Sequence, residues 1–253
     1  RGCKFDCYFC ANAALSGRLK MEKTAEEMTA LVRKVSTQTR TMSFIDNNMF
    51  ANPAYAQKFL EAITPLKIFW GGNATIDIAH DDNMVRLLKK SGCHSLLIGY
   101  EINPESLSCD WGKKLTIAKD YLRLTKKLKR AGILINGHFM FGLPDDSWRS
   151  LGRLWWFCFQ LCPATTALSY ATPLPGARFF TDSVKAGTIF NPNWHSYDLY
   201  QQVVDHPRLG RNWLLRKGFP IITIFFLLTT SSIGRIILTF IAAWVIFCLE
   251  LPR

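Results

Sequence analysis

The sequence predicts an α/β fold in which parallel strands alternate with helices and close, fully or partly, into a barrel. Helix-like segments with apolar residues three and four positions apart alternate with short apolar segments typical of buried parallel strands. About five such strand–helix units follow one another, as in a barrel. The chain has 253 residues, 49% of them hydrophobic and 20% charged, so it is long and apolar enough to enclose one large core.

The first half of the chain has the clearest helix signals. Residues 22–35 predict a helix that begins after Thr24, because Glu27 stands three residues later as in a capping box. Pro53 is suited to the first position of a helix, where a backbone N–H has no partner within the helix. In chain order we expect a helix at 22–35, a strand at 42–46, a helix at 53–63, a strand at 67–70 with its exit at 73–78, and a helix at 81–92.

The alternation continues through the second half. Gly132 is suited to end a helix, since glycine readily adopts the backbone conformation found just after a helix C-terminus. A Pro-rich turn follows the last predicted strand. We expect a strand at 94–101, a helix at 117–132, a strand at 133–142, a helix at 146–161 and a strand at 166–176.

Polar residues finish the apolar strands. In a parallel α/β barrel the active site lies at the carboxyl ends of the strands, which meet at one edge. Polar or turn-forming residues at these positions therefore predict a site. The strand ends carry Asp46, Asn73 with Asp77, Glu101, Gly142 with Pro144, and Thr172.

Three regions follow from these patterns: a core at 1–187, an aromatic and basic connecting segment at 188–218, and an apolar helical tail at 219–253. The tail is interrupted by "TTSSIGR", and each apolar half is shorter than the roughly 20 residues of a spanning helix. Three arrangements stay open: a single span through Arg235, two short helices in one leaflet with Arg211, Arg216 and Lys217 at the headgroups, or a buried contact.

Charge and cysteine usage narrow the class of protein. The net charge is +12, but the basic residues are scattered in pairs, which favours a solvated surface over attraction to RNA or anionic lipid. Eight unevenly spaced cysteines do not form a disulfide scaffold, which indicates a reducing, cytoplasmic compartment. The sequence begins with neither Met nor a signal peptide, so we expect it to be cut from a longer protein.

The first ten residues, "RGCKFDCYFC", contain Cys3, Cys7 and Cys10 in the spacing C-x3-C-x2-C. Thiolates bind iron–sulfur clusters well, and three ligands would leave one iron of a four-iron cluster open. Structural zinc would want a fourth Cys or His nearby, and neither follows in this stretch. Small buried hydrophobic residues remain the alternative interpretation of the three cysteines.

With Phe9 just before its last cysteine, this loop resembles the cluster loop of the radical S-adenosylmethionine (SAM) superfamily. Other stretches resemble the branch of that superfamily whose members often carry an N-terminal cobalamin-binding domain. The resemblance covers about residues 1–180 and rests on the order and spacing of its pieces. Those pieces are "FIDNNMFANP", "TIDIA", "GCHSLLIGYE", "FMFGLPDDS" and "TPLPG".

The resemblance implies a partial (β/α)6 TIM-like barrel whose first strand would precede residue 1. It implies a [4Fe–4S] cluster held by Cys3, Cys7 and Cys10, and SAM as the second cofactor. Cobalamin use stays open, because the cobalamin-binding domain is not in this sequence. The residues expected at the cofactors are Phe9 in the cluster loop, Glu101 at the ribose, Asp46 and Asn73 at the methionine moiety or substrate, and the backbone of Phe141, Gly142 and Leu143 at the adenine.

The resemblance therefore predicts an enzyme that cleaves SAM reductively and starts radical chemistry, with methyl transfer to an apolar or lipid-like substrate as an extension. A flavodoxin or ferredoxin would donate the electron, residues 219–253 would contact a membrane, and a nucleic-acid partner is not expected. The alternatives are a tRNA-modifying enzyme of the same superfamily and a non-catalytic, membrane-associated remnant of the barrel. No side chain is assigned a catalytic role; His138 would either face the lumen and touch substrate or lie hydrogen-bonded in the core.

The sequence departs from the branch pattern at two places. Asn47 and Asn48 stand where the branch usually repeats aspartate, and Ile102 stands where a serine usually follows the glutamate. A second metal site would need Cys158 and Cys162, which lie four residues apart on one predicted helix face; small core residues are the alternative. The departures at Asn47 with Asn48 and at Ile102 affect the substrate and cofactor contacts rather than the predicted fold.

Overall fold

The computed structural model describes residues 3, 5, 7–17, 23–101 and 120–250 of the chain. Its centre is a five-stranded, all-parallel sheet whose spatial order follows the chain order, β1-β2-β3-β4-β5. Helices connect consecutive strands, so the predicted α/β fold is confirmed. The strands are β1 (Thr41–Phe44), β2 (Phe69–Ala74), β3 (Cys93–Glu101), β4 (Leu134–Phe141) and β5 (Thr165–Tyr170).

The helices agree with the predicted segments to within a few residues, with two additions. Asn12–Ser16 and Arg178–Lys185 form helices in segments for which the sequence predicted no helix. The α-helices are α1 (Asn12–Ser16), α2 (Ala25–Ser36), α3 (Pro53–Ile63), α4 (Asp82–Lys90), α5 (Tyr121–Arg130), α6 (Trp148–Leu161), α7 (Arg178–Lys185), α8 (Phe219–Thr230) and α9 (Ser232–Glu250). Short 3-10 helices cover Thr64–Leu66, Ile76–His80 and Trp194–Ser196, and a π-helix covers Leu214–Gly218.

The predicted helix starts are confirmed by their hydrogen bonds. Thr24 caps α2 in a capping box: the Thr24 amide donates to Glu27 Oε2 at 2.8 Å, and the Glu27 amide donates to Thr24 Oγ1 at 3.2 Å. Asn52 caps α3 by accepting the amide of Tyr55, with Pro53 at the first helical position. Since each cap satisfies a backbone donor that the helix cannot, these ends are fixed locally by sequence.

The core lies between the sheet and the helices, and buried side chains alternate along most of β3, β4 and β5. Tyr100 of β3 is fully buried and stacks on Phe139 of β4, with ring centroids 5.3 Å apart. Its hydroxyl lies 2.6 Å from Thr125 Oγ1 of α5, so the polar end of this buried ring is hydrogen-bonded. Phe157 of α6 packs edge-on against Tyr100 and closes the same aromatic cluster.

On the opposite face of the sheet, small residues are paired across adjacent strands. His138 in the middle of β4 lies between Gly99 of β3 and Ala167 of β5. Gly71 of β2 pairs with Ser95 of β3 one strand further along. His138 is exposed on this face, so it is not the core histidine that was one of its two predicted placements.

The start of the tail packs against the body of the protein. Phe226 of α8 is buried, with its ring centroid 6.1 Å from that of Phe139. Trp155 of α6 donates its indole N–H to Thr229 Oγ1 at 2.9 Å. This half of the tail therefore makes the buried contact that was one of the three predicted arrangements.

Arg235 joins α9 to the end of α6. Its Nη2 donates to the carbonyl of Phe159 at 2.6 Å, and its guanidinium lies 4.0 Å from the centroid of the Phe159 ring. A cation suits this position, because carbonyl groups at a helix C-terminus carry partial negative charge. Within the described residues no single helix is long and apolar enough to cross a bilayer, although Leu214–Thr230 and Ser232–Ile241, bent by 89°, meet that test as a pair.

Candidate functional site

The cysteine loop forms a tight turn against an apolar cluster. The Cys10 amide donates to the Cys7 carbonyl at 3.0 Å, which brings the ends of the segment 7–10 together. Cys3, Cys7 and Cys10 are all half-buried. Phe9, between the last two cysteines, is buried in a cluster that also contains Leu143, Ala171, Phe179 and Val204.

Helix α7 holds this loop from one side. The Phe179 amide donates to the Tyr8 carbonyl at 3.0 Å, and the two rings lie 5.5 Å apart. Burial, together with the charge of Asp182 and a hydrogen bond to it, raises the pKa of Tyr8 to about 12. The sequence analysis missed this helix, in which Phe179 and Ser183, four residues apart, are both buried.

The three thiols fit an iron–sulfur cluster by the chemistry of the donor set. Among the described residues no three His, Cys, Asp or Glu side chains converge closely enough to bind one metal ion. A four-iron cluster does not need that convergence, because each thiolate binds a different iron atom. By contrast, burial raises the pKa of the Cys93 and Cys158 thiols to about 12, so those two thiols are protonated at neutral pH.

Asp46, just beyond the end of β1, meets Asn73 in the last part of β2. Asn73 Nδ2 donates to the backbone carbonyl of Asp46 at 2.9 Å, while the side chain of Asp46 is exposed. Asn48, which departs from the family pattern, is buried; its Nδ2 donates to Thr75 Oγ1 at 3.3 Å and its Oδ1 accepts the amide of Phe50 at 3.1 Å. The amide of Asn48 thus fixes the loop after β1, which an aspartate could not do with the same donor.

Glu101 is the last residue of β3 and has a left-handed backbone, with φ of +60°. The register with β4 shifts between Gly99 and Glu101, which turns the carboxylate away from the regular strand path. A non-glycine residue in this conformation costs about 1–2 kcal/mol, and such strain is concentrated at functional sites.

The charge of Glu101 contributes to the pKa shifts of two neighbouring side chains, Tyr121 and His138. Burial, and after it the Glu101 charge, raises the pKa of Tyr121. Although the His138 side chain reaches solvent, desolvation of its ring by the surrounding sheet lowers its pKa, and the same charge partly opposes that shift. Glu101 and His138 therefore share one electrostatic environment on the open face of the sheet.

The loop after β4 uses its backbone groups internally. The amides of Gly142 and Leu143 both donate to Asp146 Oδ2, at 2.8 and 2.9 Å, and the Phe141 carbonyl accepts the Ala171 amide at 2.8 Å. The Phe141 ring is fully buried, so only its backbone can face a ligand. The sequence analysis predicted this backbone role but missed Asp146, whose signal was a carboxylate four residues after the glycine.

Asp146 lies in the connection between β4 and α6, close to the start of α6. Its Oδ1 accepts the Ser150 hydroxyl at 2.8 Å, and Ser147 caps α6. Burial raises the pKa of Asp146, and the hydrogen bonds from Ser150 and the two loop amides oppose that shift. One carboxylate therefore joins the turn after β4 to the N-terminus of α6.

The other candidates have structural roles or stay open. Asp81 caps α4, and Asp77 Oδ1 is buried with no hydrogen-bond partner among the residues that the structure describes. Thr172 donates to the carbonyl of Tyr170. Cys158 and Cys162 lie 3.8 Å from Thr166 Oγ1 and 3.5 Å from Ser232 Oγ respectively, which supports packing rather than a second metal site.

Two sequence relatives of the chain are named as bacteriochlorophyllide d methyltransferases. The bacteriochlorophyllide d C-12(1)-methyltransferase of Chlorobaculum tepidum is 27% identical over 222 residues, which cover 86% of this chain and 48% of the relative. The bacteriochlorophyllide d C-8(2)-methyltransferase of the same organism is 22% identical over 218 residues, which cover 82% and 48%. The chain thus spans about half the length of the curated relatives it matches.

A solved structure shares the fold. The radical S-adenosylmethionine methyltransferase TsrM from Kitasatospora setae, determined with cobalamin and a [4Fe–4S] cluster bound, matches with a TM-score of 0.68 at 17% identity. The match covers 76% of this chain and 39% of TsrM, and it confirms the predicted partial barrel. The family described as the Radical SAM superfamily matches residues 1–154 and implies [4Fe–4S] and SAM as cofactors. On this match, which takes in the cysteine loop and the first four strands, the chain belongs to the radical SAM superfamily.

Proposed function

We propose that this chain is the core of a radical SAM enzyme that methylates a carbon atom of a large apolar substrate. One observation carries the proposal: Phe9 of the cysteine loop and Leu143 of the loop after β4 are buried in the same apolar cluster. The cysteines therefore lie next to the edge of the sheet where the strands end. A cluster ligand loop and a cofactor-binding edge must meet in this way for an electron to reach SAM.

The side chains at this edge have distinct proposed roles. Cys3, Cys7 and Cys10 would hold a [4Fe–4S] cluster, which supplies one electron for the reductive cleavage of SAM. Glu101 would accept hydrogen bonds from the ribose hydroxyls, since a carboxylate offers two acceptor oxygens. The apolar cluster around Phe9 would exclude water from this region.

The polar groups at the other strand ends would orient the rest of SAM or the substrate. Asp46 is exposed and its position is fixed by Asn73, so its carboxylate could bind the amino group of the methionine moiety. The amides of Gly142 and Leu143 are already bonded to Asp146. The loop after β4 would therefore offer the adenine a packing surface and the second lone pairs of its carbonyl oxygens rather than amide donors.

For the substrate we propose a flat, apolar ring system of the tetrapyrrole class. Both relatives from Chlorobaculum tepidum are named for a bacteriochlorophyllide, and His138 is exposed on the open face of the sheet between the small residues Gly99 and Ala167. Cobalamin, the cofactor named in the TsrM structure, would serve as methyl carrier. An acidic flavodoxin or ferredoxin would be attracted by the net charge of +12 and donate the electron.

Anaerobic reconstitution with iron and sulfide tests the proposal directly. The chain should gain the visible absorbance of a [4Fe–4S] cluster, and Cys7→Ala should lose most of it. Cys93→Ala is the matched control, because that thiol is buried in β3 and protonated, and it should load the cluster normally. After reduction in the presence of SAM, 5'-deoxyadenosine should accumulate.

Two results would overturn the proposal. Equal cluster loading in Cys7→Ala and the unaltered chain would remove the cysteines from the site. Cluster loading without any SAM cleavage would favour the non-catalytic remnant of the barrel. Methylation of a tRNA in place of a tetrapyrrole would keep the radical SAM assignment and replace the substrate.

A separate observation supports a membrane contact by the outer faces of α8 and α9. Ile221, Ile224 and Phe225 on α8 and Ile236 and Phe240 on α9 are all exposed. No acidic residue lies between positions 205 and 250, while the segment contains several Arg and Lys residues. Apolar side chains next to cations without nearby anions suit the interface of an anionic bilayer.

Vesicle co-sedimentation tests the membrane contact. The chain should bind vesicles containing phosphatidylserine more tightly than neutral ones. The double variant Phe225→Ser with Phe240→Ser should bind at least tenfold more weakly, since two exposed aromatic groups are removed. Ile45→Ser is the control, because Ile45 is an exposed apolar residue outside the tail. Equal binding by all three proteins would refute the contact.

A further inference from the structure

His206, in the segment between α7 and the tail, reaches back to the loop after β4. Its ring is buried, and its Nε2 lies 2.6 Å from the backbone carbonyl oxygen of Leu143. Its Nδ1 accepts the amides of Arg208 at 3.1 Å and Leu209 at 3.0 Å. One imidazole therefore joins two segments that are 63 residues apart in sequence.

The geometry fixes the protonation of this ring. Because Nδ1 accepts two N–H groups, it carries a lone pair and no proton. In a neutral imidazole the proton then sits on Nε2, which donates it to the Leu143 carbonyl. The ring thus acts as an acceptor toward its own turn and as a donor toward the loop.

The Leu143 carbonyl and the peptide groups next to it also bond to Asp146 and Arg208. The Leu143 carbonyl also accepts the Asp146 amide at 2.8 Å, and the Leu143 amide donates to the Asp146 carboxylate. Arg208 Nη1 donates to the Asp145 carbonyl at 2.7 Å. The peptide groups after Gly142 are therefore fixed by α6 through Asp146 and by the connecting segment through His206 and Arg208.

We infer that His206 is a positioning residue for SAM: it holds the Leu143 peptide in the orientation in which the loop after β4 receives the adenine. The inference rests on the proposed function, because it assigns the adenine to this loop. Leu143 also packs in the cluster of Phe9 and Val204, so a shift of its peptide would move the surface between the cysteine loop and SAM. His206 itself touches neither cofactor.

The pH dependence of this bond has a defined sign. Burial holds the pKa of His206 below its usual 6.5; Asp145 and Asp146 oppose that shift, as does the bond to Leu143, and Arg208 adds to it. The neutral ring is therefore favoured in the folded protein. SAM affinity that depends on it is full above pH 6.5 and falls as the pH drops through the lowered pKa, since a proton on Nδ1 would face two N–H groups.

Two amide variants separate the roles of the two ring nitrogens. His206→Asn keeps an acceptor for the amides of Arg208 and Leu209 but is too short to reach Leu143. His206→Gln keeps an N–H donor at the distance of Nε2. His195→Asn is the matched control, because His195 is exposed in the same connecting segment. SAM affinity is measured by titration calorimetry on the anaerobically reconstituted chain, alongside melting temperature and hydrogen exchange of the amides of residues 142–146 without SAM.

We expect His206→Asn to weaken SAM binding about tenfold, the effect of losing one buried hydrogen bond, and to speed exchange of the loop amides. His206→Gln should recover part of both, and His195→Asn should match the unaltered chain. As the pH drops below 6.5 and through the lowered pKa of His206, the affinity of the unaltered chain should decline, whereas that of His206→Gln should not follow it.

The outcomes separate the inference from the proposed function. If the unaltered chain loads a cluster and binds SAM, and His206→Asn binds it equally well with unchanged loop exchange, the positioning role is wrong. A lower melting temperature in His206→Asn with unaltered SAM affinity would reduce His206 to a turn-forming residue and overturn the inference. If the unaltered chain binds no SAM, the proposed function itself fails, and the positioning role fails with it.

Discussion

Replacement of Gly142 by alanine tests whether the loop after β4 has the rigid geometry that the site requires. Gly142 has φ of +96°, a conformation that residues with a side chain rarely adopt. A Cβ atom at this position would lie 2.3 Å from Tyr170 Cε2 and 2.5 Å from Tyr170 Cζ. Tyr170 is fully buried and packs edge-on against Phe219, so its ring has no space into which to move.

The expected loss of stability has two parts. The left-handed backbone costs alanine about 1–2 kcal/mol, and forcing a methyl group into a packed ring costs about 1–3 kcal/mol. We therefore expect Gly142→Ala to lower the free energy of unfolding by roughly 2–5 kcal/mol. This is a large part of the stability of an ordinary domain.

Gly152→Ala is the matched control. Gly152 lies inside α6, and a Cβ atom there would have no neighbour within 4 Å. Alanine is a better helix former than glycine, so this variant should gain about 0.5–1 kcal/mol. Urea unfolding, followed by circular dichroism, gives the free energy of unfolding of both variants. The two values are compared at an equal dependence of that free energy on urea concentration.

Opposite signs for the two variants are the expected result. If Gly142→Ala unfolds at the same urea concentration as the unaltered chain, Tyr170 does not occupy the space next to Gly142. The packing of the loop against β5, and with it the argument that this loop is rigid, would then be wrong.

Two further predictions concern contacts that hold the site and the tail. Asp182→Asn should lower the pKa of Tyr8 from about 12 while leaving it above 10, because burial remains the largest cause of the shift. The Tyr8 pKa is measured by ultraviolet titration, with Tyr8→Phe as the reference that lacks its signal. An unchanged titration would exclude the contact between Tyr8 and Asp182. Arg235→Leu should lower the free energy of unfolding by about 1–2 kcal/mol, because it removes the hydrogen bond to the Phe159 carbonyl and the contact with the Phe159 ring. An unchanged urea midpoint would mean that the packing of the tail does not depend on this contact.

Much of the architecture was predictable from local chemistry. The capping box of Thr24 and Glu27 and the proline at the start of α3 determine where those helices begin, because each effect involves residues only a few positions apart. The apolar strands determine a parallel sheet in the same way. The cysteine spacing and the polar residue at the end of each strand then indicate the edge that carries the site.

The proposed roles of these residues stay predictions, and one of them depends on a feature that no local pattern predicts. The spacing of "GYE" does not predict the left-handed backbone of Glu101, because the register shift that produces it involves the neighbouring strand β4. The same limit applies to His138. Its exposure on the open face depends on the alternation of β4 together with the small residues of β3 and β5 beside it.

The sequence by itself determined the strand and helix order and the position of the cysteine loop and of the strand ends where the site is proposed, since these follow from interactions between near neighbours. Only the tertiary structure decided that α7 holds Tyr8, that His206 bonds to Leu143, and that Arg235 attaches α9 to α6. Each of those contacts joins residues more than sixty positions apart. Their formation depends on how the whole chain packs, and a pattern read within a window of ten or fifteen residues contains no information about it.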